Sequence, residues 1–259
     1  MFSSIQNNYK KQIRNFIALM GSGLSIYYLF KNLDKLEFNK IVFELTNIYL
    51  WISLFSYLIY LFYRSFFWVD LASEKPESFN IYLASQIGKF IPGKIGPSYY
   101  RSHYLKDSFI NQARISIKEV IFIFFAHSII SILFLQLKYY SLCFLLLYFI
   151  FNKTYKLLLI SGYLNYISFL ALSYYLIEDS IISIQLTSFL IISSVISLFI
   201  NVVPFGLGVR EGIFLFFYNF FQLNGDISEL IIYSRVISIS IEAILYFIFF
   251  IKLNSRYGK

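Results

Sequence analysis

The sequence predicts an all-α fold, namely a polytopic bundle of membrane-spanning helices with about eight spans and one re-entrant half-helix. Of the 259 residues, 58% are hydrophobic and 14% are charged, and the mean hydropathy is +0.67. Soluble domains carry about a quarter charged residues. Apolar runs of spanning length recur along the chain, and all four prolines lie between them. A soluble enzyme is therefore not expected.

The first predicted span, Phe16 to Phe30, follows three basic residues. No small-x-small cleavage site follows it, so we expect a retained helix instead of a cleaved signal peptide. The other predicted spans are Ile41 to Tyr63, Val120 to Gln136, Tyr139 to Phe151, Leu157 to Ile177, Ile181 to Val203, Ile213 to Phe221 and Glu229 to Ile251. The fourth and seventh are short, and the count falls to seven if the seventh does not cross. All of residues 1–259 are expected to form a single domain.

The distribution of basic residues predicts the orientation. With the N-terminus inside, 17 of the 22 Lys and Arg residues fall in cytoplasmic segments and four fall outside. This bias favours two cytoplasmic termini. It also accounts for the net charge of +8 without nucleic acid as a partner.

The sequence offers no sign of a metal, thiol or nucleotide centre. Its one cysteine, Cys143, cannot form an internal disulfide, and the two histidines, His103 and His127, have no metal-binding spacing. A phosphate-binding GxxxxGK[ST] loop is absent. We therefore expect no cofactor and no metal site.

Two clusters of proline and glycine interrupt the apolar sequence. The first runs from Gly88 to Pro97, with Arg101 following, and the second runs from Pro204 to Gly212. Their candidate site residues are Lys89, Pro92, Gly93, Lys94, Gly96 and Arg101 in the first cluster and Pro204, Gly206, Gly208, Arg210 and Glu211 in the second. Broken backbone at membrane depth is tolerated only where it is buried in protein or lines a wet cavity. The clusters are therefore either walls of a cavity, related by a weak internal repeat, or two unrelated cytoplasmic turns.

Each cluster predicts a helix end at the proposed cavity. The apolar segment Phe79 to Ile91 is too short to span, which predicts a re-entrant half-helix. A helix beginning after Gly208 would direct its positive end and its free N–H groups at an anionic head group beside Arg210. Lys89, Lys94 and Arg101 would add positive charge, whereas Lys106, Arg114 and Lys118 are interpreted as ordinary loop cations.

Polar residues inside the predicted spans add candidates. Arg235, Ser238 and Glu242 share one face of the last span, and charged groups at this depth normally face a bundle interior or a water-filled path. Arg210 and Glu211 are their expected partners, and a purely structural ion pair is the alternative. Glu119, at the mouth of the third span, is expected to close the cytoplasmic side of the cavity.

Weaker polar features have two interpretations each. His127 is either an interhelical hydrogen-bonding residue or a proton carrier. The stripes Ser161, Asn165, Ser168 and Ser193, Ser197, Asn201 are assigned to helix packing in preference to substrate contact.

Taken together, these motifs suggest a family. The glycine motif from Gly88 to Gly96 with Arg101, then Glu119, the motif from Pro204 to Gly212 and Arg235 resemble the lysylphosphatidylglycerol synthase transmembrane-region family of flippase-like proteins. The resemblance covers about Lys10 to Lys252, and it departs from the family pattern at Phe205, which separates Pro204 from Gly206. It implies movement of a lipid between leaflets in a bacterial inner membrane. The best-known members also have a soluble domain that charges the lipid; we expect no such domain here, and therefore no synthase activity from the resemblance.

Three functions are compatible with the sequence. The leading one is a lipid flippase or transporter, not an enzyme, that moves an anionic or sugar-bearing lipid. The second is a non-transporting membrane subunit that assists envelope enzymes in glycolipid or polysaccharide assembly. The third is an intramembrane transferase or hydrolase, with Glu119, Glu211 or Glu242 as general base. The sequence does not specify the lipid, the direction, the energy source or the oligomeric state.

Overall fold

The computed structural model describes residues 47–72, 74, 78–86, 96–137, 152–177, 179–199, 209–223 and 227–257. Within these ranges the chain forms eight α-helices and no strands, which confirms the all-α class. The helices are α1 (Ile48–Leu71), α2 (Ser78–Ser85), α3 (Gly96–Leu105), α4 (Phe109–Leu137), α5 (Lys153–Leu176), α6 (Ser180–Phe199), α7 (Val209–Phe220) and α8 (Ile227–Tyr257).

Five of these helices are long and apolar enough to cross a membrane: α1, α4, α5, α6 and the part of α8 from Ile227 to Phe249. Their outer faces expose large apolar side chains, such as Ile117, Ile121 and Phe125 on α4, as expected for surfaces that contact lipid. These features indicate an integral membrane protein.

The predicted count of about eight spans is not confirmed. The predicted spans Phe16 to Phe30 and Tyr139 to Phe151 lie outside the described residues. The seventh prediction corresponds to α7, which has 12 residues against the roughly 20 that a crossing needs.

Side chains outside the helices fix where several of them begin. The Asn47 side chain accepts the Tyr49 N–H at 2.9 Å before α1, and Asp179 accepts the N–H groups of Ile181 and Ile182 before α6. Ser108 does the same for the Asn111 N–H at the start of α4. Each cap satisfies backbone donors that have no partner within the helix.

The core of the bundle is an antiparallel pair, α1 and α5. Ser168 donates to the Ser53 carbonyl at 2.9 Å near one end of this pair, and Thr154 donates to Asp70 near the other. Small residues at the contact allow such helices to approach closely. The two ends of the bundle are named here after the termini of α1, the Ile48 end and the Leu71 end.

Helix α4 lies antiparallel to α1 and parallel to α5. Phe67 of α1 contacts Phe122, Phe122 also contacts Tyr155, and Phe134 stacks on Tyr166 with 3.9 Å between ring centroids. The end of α4 therefore lies at the Ile48 end of the bundle, whereas α5 begins at the Leu71 end. Helix α6 returns to the Leu71 end, where Leu198 packs against the cluster around Phe67.

Three short helices, α2, α3 and α7, each have one end at a common cavity. Helix α2 is buried along most of its length, and Gln86, just after it, lines a cavity together with Pro97 and Ser98 at the start of α3. Helix α7 begins at the same cavity with Arg210 and runs towards the Ile48 end, where Phe221 stacks on Phe189 of α6. Helix α2 is shorter than the predicted half-helix Phe79 to Ile91, of which residues 87–91 lie outside the described part.

Helix α4 begins before the predicted third span. The span was expected from Val120, but α4 begins at Phe109, because a capped, mostly polar first segment precedes the apolar run. Glu119 is consequently not at the mouth of the helix. It lies ten residues after Phe109, about 15 Å along the axis, and is 3% exposed.

Candidate functional site

A cavity of about 190 Å³ lies inside the bundle and contains the predicted charged residues. Five of them line it: Arg101, Glu119, Arg210, Arg235 and Glu242. Each is at most 5% exposed. Glu211 contacts two of these arginines, and Gly96 is the buried first residue of α3, next to the cavity residue Pro97. The remaining candidates lie outside the described residues: Lys89, Pro92, Gly93, Lys94, Pro204, Gly206 and Gly208.

On one wall, Glu119 lies between two arginines. Its Oε1 accepts from Nε and Nη2 of Arg64 at 3.1 and 3.0 Å, and its Oε2 accepts from Nη1 of Arg101 at 3.2 Å. The Tyr82 hydroxyl also donates to Oε1. We call Arg64, Glu119 and Arg101 the first triad. It joins α1, α3 and α4, and through Tyr82 it also joins α2.

Aromatic rings hold Arg101 in a fixed position. Its guanidinium lies over the Trp68 ring at 4.8 Å and over the Tyr82 ring at 4.4 Å. Its Nε donates to Ser85 at 2.9 Å, and its Nη1 donates to Ser116 at 3.3 Å. A planar guanidinium suits such stacking, so the short helices α2 and α3 are anchored to the spans at the cavity.

The second triad is on α7 and α8. Glu211 Oε1 accepts from Nε of Arg210 at 3.1 Å and from Nε of Arg235 at 2.7 Å. Arg210 also donates to the Ser234 hydroxyl at 2.9 Å. The expected pairing of Arg235 with Glu211 is therefore present. Helix α7 begins at Val209, as predicted for the residue after Gly208.

Glu242 lies further along α8 on the face of Arg235 and Ser238. Its Oε1 accepts from the Tyr57 hydroxyl of α1 at 3.1 Å. Arg235, Ser238 and Glu242 all line the cavity, so the shared face predicted for the last span does point inward.

The described charges around the cavity give an excess of one positive charge. Four arginines (Arg64, Arg101, Arg210 and Arg235) oppose three carboxylates (Glu119, Glu211 and Glu242). The first turns of α3 and α7 also contribute to the wall, and the N-terminus of a helix carries a partial positive charge. The cavity is consequently suited to an anionic group.

Several cavity residues were not predicted from the sequence. Arg64 was counted as a loop cation after the second span, but α1 continues through it to Leu71. Gln86 and His127 line the cavity as well. Gln86 Oε1 and His127 Nε2 are buried and have no hydrogen-bond partner among the described residues. Only His127 had carried a sequence signal, as a polar residue inside an apolar span.

The serine stripes divide between the two interpretations. Ser161 and Ser193 donate to carbonyl groups of their own helices, and Ser168 packs on Ser53, which fits packing. Asn165 and Ser197 line the cavity. Asn201 lies outside the described residues.

Metal ligands do not cluster in the described ranges, where no group of three or more His, Cys, Asp or Glu side chains lies close enough together to hold an ion.

Comparisons of the chain with protein-family models, with curated proteins and with solved structures gave no match. A functional assignment therefore depends on the cavity and on the motifs quoted above.

Proposed function

We propose that this protein is a flippase-like transporter that moves an anionic or sugar-bearing lipid between the leaflets of a bacterial inner membrane. We also propose that the chain belongs to the lysylphosphatidylglycerol synthase transmembrane-region family, which its motifs resemble, and that both of its termini are cytoplasmic. The substrate is a membrane lipid whose head group enters the cavity while its acyl chains stay in the bilayer.

The observation that carries the proposal is the buried cavity with two Arg–Glu–Arg triads on its walls. Ionisable residues are costly at membrane depth, at least about 2.5 kcal/mol each on insertion scales. Packing of the bundle needs paired charges, but it does not need a net positive charge around an open space. A cavity with this excess is what an anionic head group requires in order to leave the aqueous surface.

The proposal leaves three energy sources open. Without a phosphate-binding GxxxxGK[ST] loop, movement of lipid is passive, driven by an ion gradient or dependent on a partner. The protein is proposed to act without a cofactor, and envelope-assembly enzymes are candidate partners.

Mass spectrometry of the lipids that copurify with the protein tests the proposal. The informative variant is Arg101→Met with Arg210→Met, because each triad then keeps one arginine paired with its carboxylate. The charge around the cavity changes from one positive to one negative. Arg114→Met is the matched control, since Arg114 is an exposed cation on α4 away from the cavity.

We expect one anionic or glycosylated lipid to be enriched in the wild type and in Arg114→Met and to be lost in the double variant. An unselective profile that is identical in all three proteins would contradict the proposal. It would favour the alternative of a non-transporting subunit, for which the triads only hold the bundle together.

A further inference from the structure

Two residues that line the cavity each carry a buried polar atom without a hydrogen-bond partner among the described residues. Gln86 is 2% exposed and His127 is 3% exposed, and both line the same cavity as the arginines. The atoms concerned are Gln86 Oε1 and His127 Nε2. Because buried polar groups are almost always satisfied, these atoms indicate where water, or a ligand that replaces it, forms hydrogen bonds.

The chemistry of the two atoms specifies the ligand group. An amide Oε1 only accepts, so it requires a donor, whereas a histidine Nε2 donates or accepts according to the tautomer of the ring. A hydroxyl group satisfies both atoms, because it donates and accepts. Asn165 is a further neutral polar residue on the wall, whereas the hydroxyls of Ser98 and Ser197 already bond to the Ser116 hydroxyl and the Ser194 carbonyl.

An ammonium group also donates, but the charge of the cavity opposes it. Its described walls carry one excess positive charge, and Arg64 and Arg101 line the same cavity as Gln86 and His127. Like charges in a poorly solvated space repel strongly. Hydroxyl groups meet no such opposition.

We propose that the cavity binds a lipid head group in which a phosphate is linked to a polyhydroxylated group. The arginines take the phosphate, and Gln86 and His127 take hydroxyl groups. This inference rests on the proposed function and narrows its substrate to phosphate-linked polyols. Head groups that carry an ammonium, and phosphate without hydroxyl groups, are bound less well.

Lipid binding to the purified full chain tests this assignment with defined probes. Phosphatidylglycerol offers phosphate and hydroxyl groups, phosphatidic acid offers phosphate alone, and phosphatidylethanolamine offers phosphate and an ammonium. Glycerol 3-phosphate presents phosphate and hydroxyl groups without acyl chains. Native mass spectrometry or a binding titration in detergent gives the relative affinities.

The variants are Gln86→Met and His127→Leu, each of which removes one of these two polar atoms. The matched control is Gln112→Met. Gln112 is also fully buried, with an Oε1 that has no partner among the described residues, but it does not line the cavity. Loss of binding in Gln112→Met as well would indicate a general effect of removing a buried amide and would overturn the assignment.

We expect the wild type to prefer phosphatidylglycerol over phosphatidic acid and over phosphatidylethanolamine. One hydrogen bond contributes a factor of about two to ten in affinity, so each cavity variant is expected to reduce the preference over phosphatidic acid by about that factor. Binding of phosphatidic acid itself, and all binding by Gln112→Met, are expected to stay unchanged.

Three results with the wild-type protein would also overturn the inference. Equal binding of both anionic lipids by the wild type would mean that only water occupies the two sites; the inference fails and the proposed function stands. Equal binding of phosphatidylethanolamine would contradict both, because the cavity would then not select anions. Glycerol 3-phosphate binding as tightly as the lipid would indicate a soluble ligand and overturn the lipid assignment.

Discussion

Removing the carboxylate of the first triad should destabilise the protein far more than removing one of its arginines. Glu119→Gln keeps the shape of the side chain but leaves Arg64 and Arg101 buried without a counter-charge. Glu119 accepts two hydrogen bonds from Arg64, one from Arg101 and one from Tyr82. In the Glu119→Gln variant, the NH₂ group would face a guanidinium whichever carboxylate oxygen it replaced, since Oε1 accepts from Arg64 and Oε2 accepts from Arg101. At least one of these bonds therefore becomes a repulsive contact.

The magnitude follows from the burial of the partners. The side chains of Arg64 and Arg101 are 11% and 3% exposed, and breaking a buried ion pair from one side costs about 3–5 kcal/mol. Arg101→Met leaves Glu119 paired with Arg64. It loses the hydrogen bonds to Glu119, Ser85 and Ser116 and the stacking on Trp68 and Tyr82. Because no charged group is left unpaired, we expect a smaller loss of about 1–3 kcal/mol.

Reversible unfolding in mixed detergent micelles measures both changes in the free energy of unfolding. The control is Glu74→Gln, a partly exposed carboxylate between α1 and α2, for which we expect less than about 1 kcal/mol. Two results would contradict the described balance of buried charge in the triad. Either Glu119→Gln lowers the free energy of unfolding no more than Glu74→Gln does, or Arg101→Met lowers it more than Glu119→Gln does.

Two further predictions concern packing and pH. Gly162→Ala should destabilise the protein by about 1–3 kcal/mol, since a Cβ there would lie 2.5 Å from Ile130 Cδ1 and 3.1 Å from His127 Cδ2. Gly212→Ala on α7 is its control: nothing lies within 4 Å, so helix propensity should make it neutral or stabilising by up to about 1 kcal/mol, and equal losses in the same unfolding assay would contradict the packing. Hydrogen bonds from Gln112 and Asn111 hold the pKa of Asp107, in the turn before α4, below its ordinary value of 3.8. A lowered pKa contributes stability above the ordinary value and loses it as the pH falls through the lowered one, so the stability advantage of the wild type over Asp107→Asn should shrink as the pH falls below about 4; an advantage that grows on acidification would refute the assignment.

The sequence carried enough information to locate the five long apolar helices and most of the charged residues of the cavity. Apolar length marks α5 and α6 to within a few residues, because lipid-facing and buried positions in a span are both apolar. Charged residues inside apolar runs are rare enough to be recognised singly. Arg235 and Glu242 were found in this way.

What the sequence could not supply is the pairing between distant helices. Arg64 and Glu119 are 55 residues apart, and each is close to the edge of an apolar run. Hydropathy therefore assigns both to helix ends, although each helix continues past them once the other neutralises the charge. Gln86 was missed for a related reason: it lies inside the predicted half-helix Phe79 to Ile91, and nothing in the sequence indicates that it lines a cavity.

Short helices were the other weak point. Length alone does not distinguish a short span from a half-helix, and for α7, with 12 residues, the sequence left open whether the segment crosses. The structure adds that its first turn lies at the cavity, where Arg210 is a lining residue.

The most direct test of the central claim is lipid translocation in proteoliposomes that contain fluorescently labelled phosphatidylglycerol, with a membrane-impermeant quencher outside. We expect the wild type and Arg114→Met to make the inner-leaflet label accessible, and the variant with Arg101→Met and Arg210→Met to do so at least about tenfold more slowly, since each lost charge-assisted contact is worth a factor of ten or more. Unfolding measurements on the same samples verify that the double variant is folded. Equal translocation rates in the wild type and a folded double variant would contradict a head-group site at this cavity.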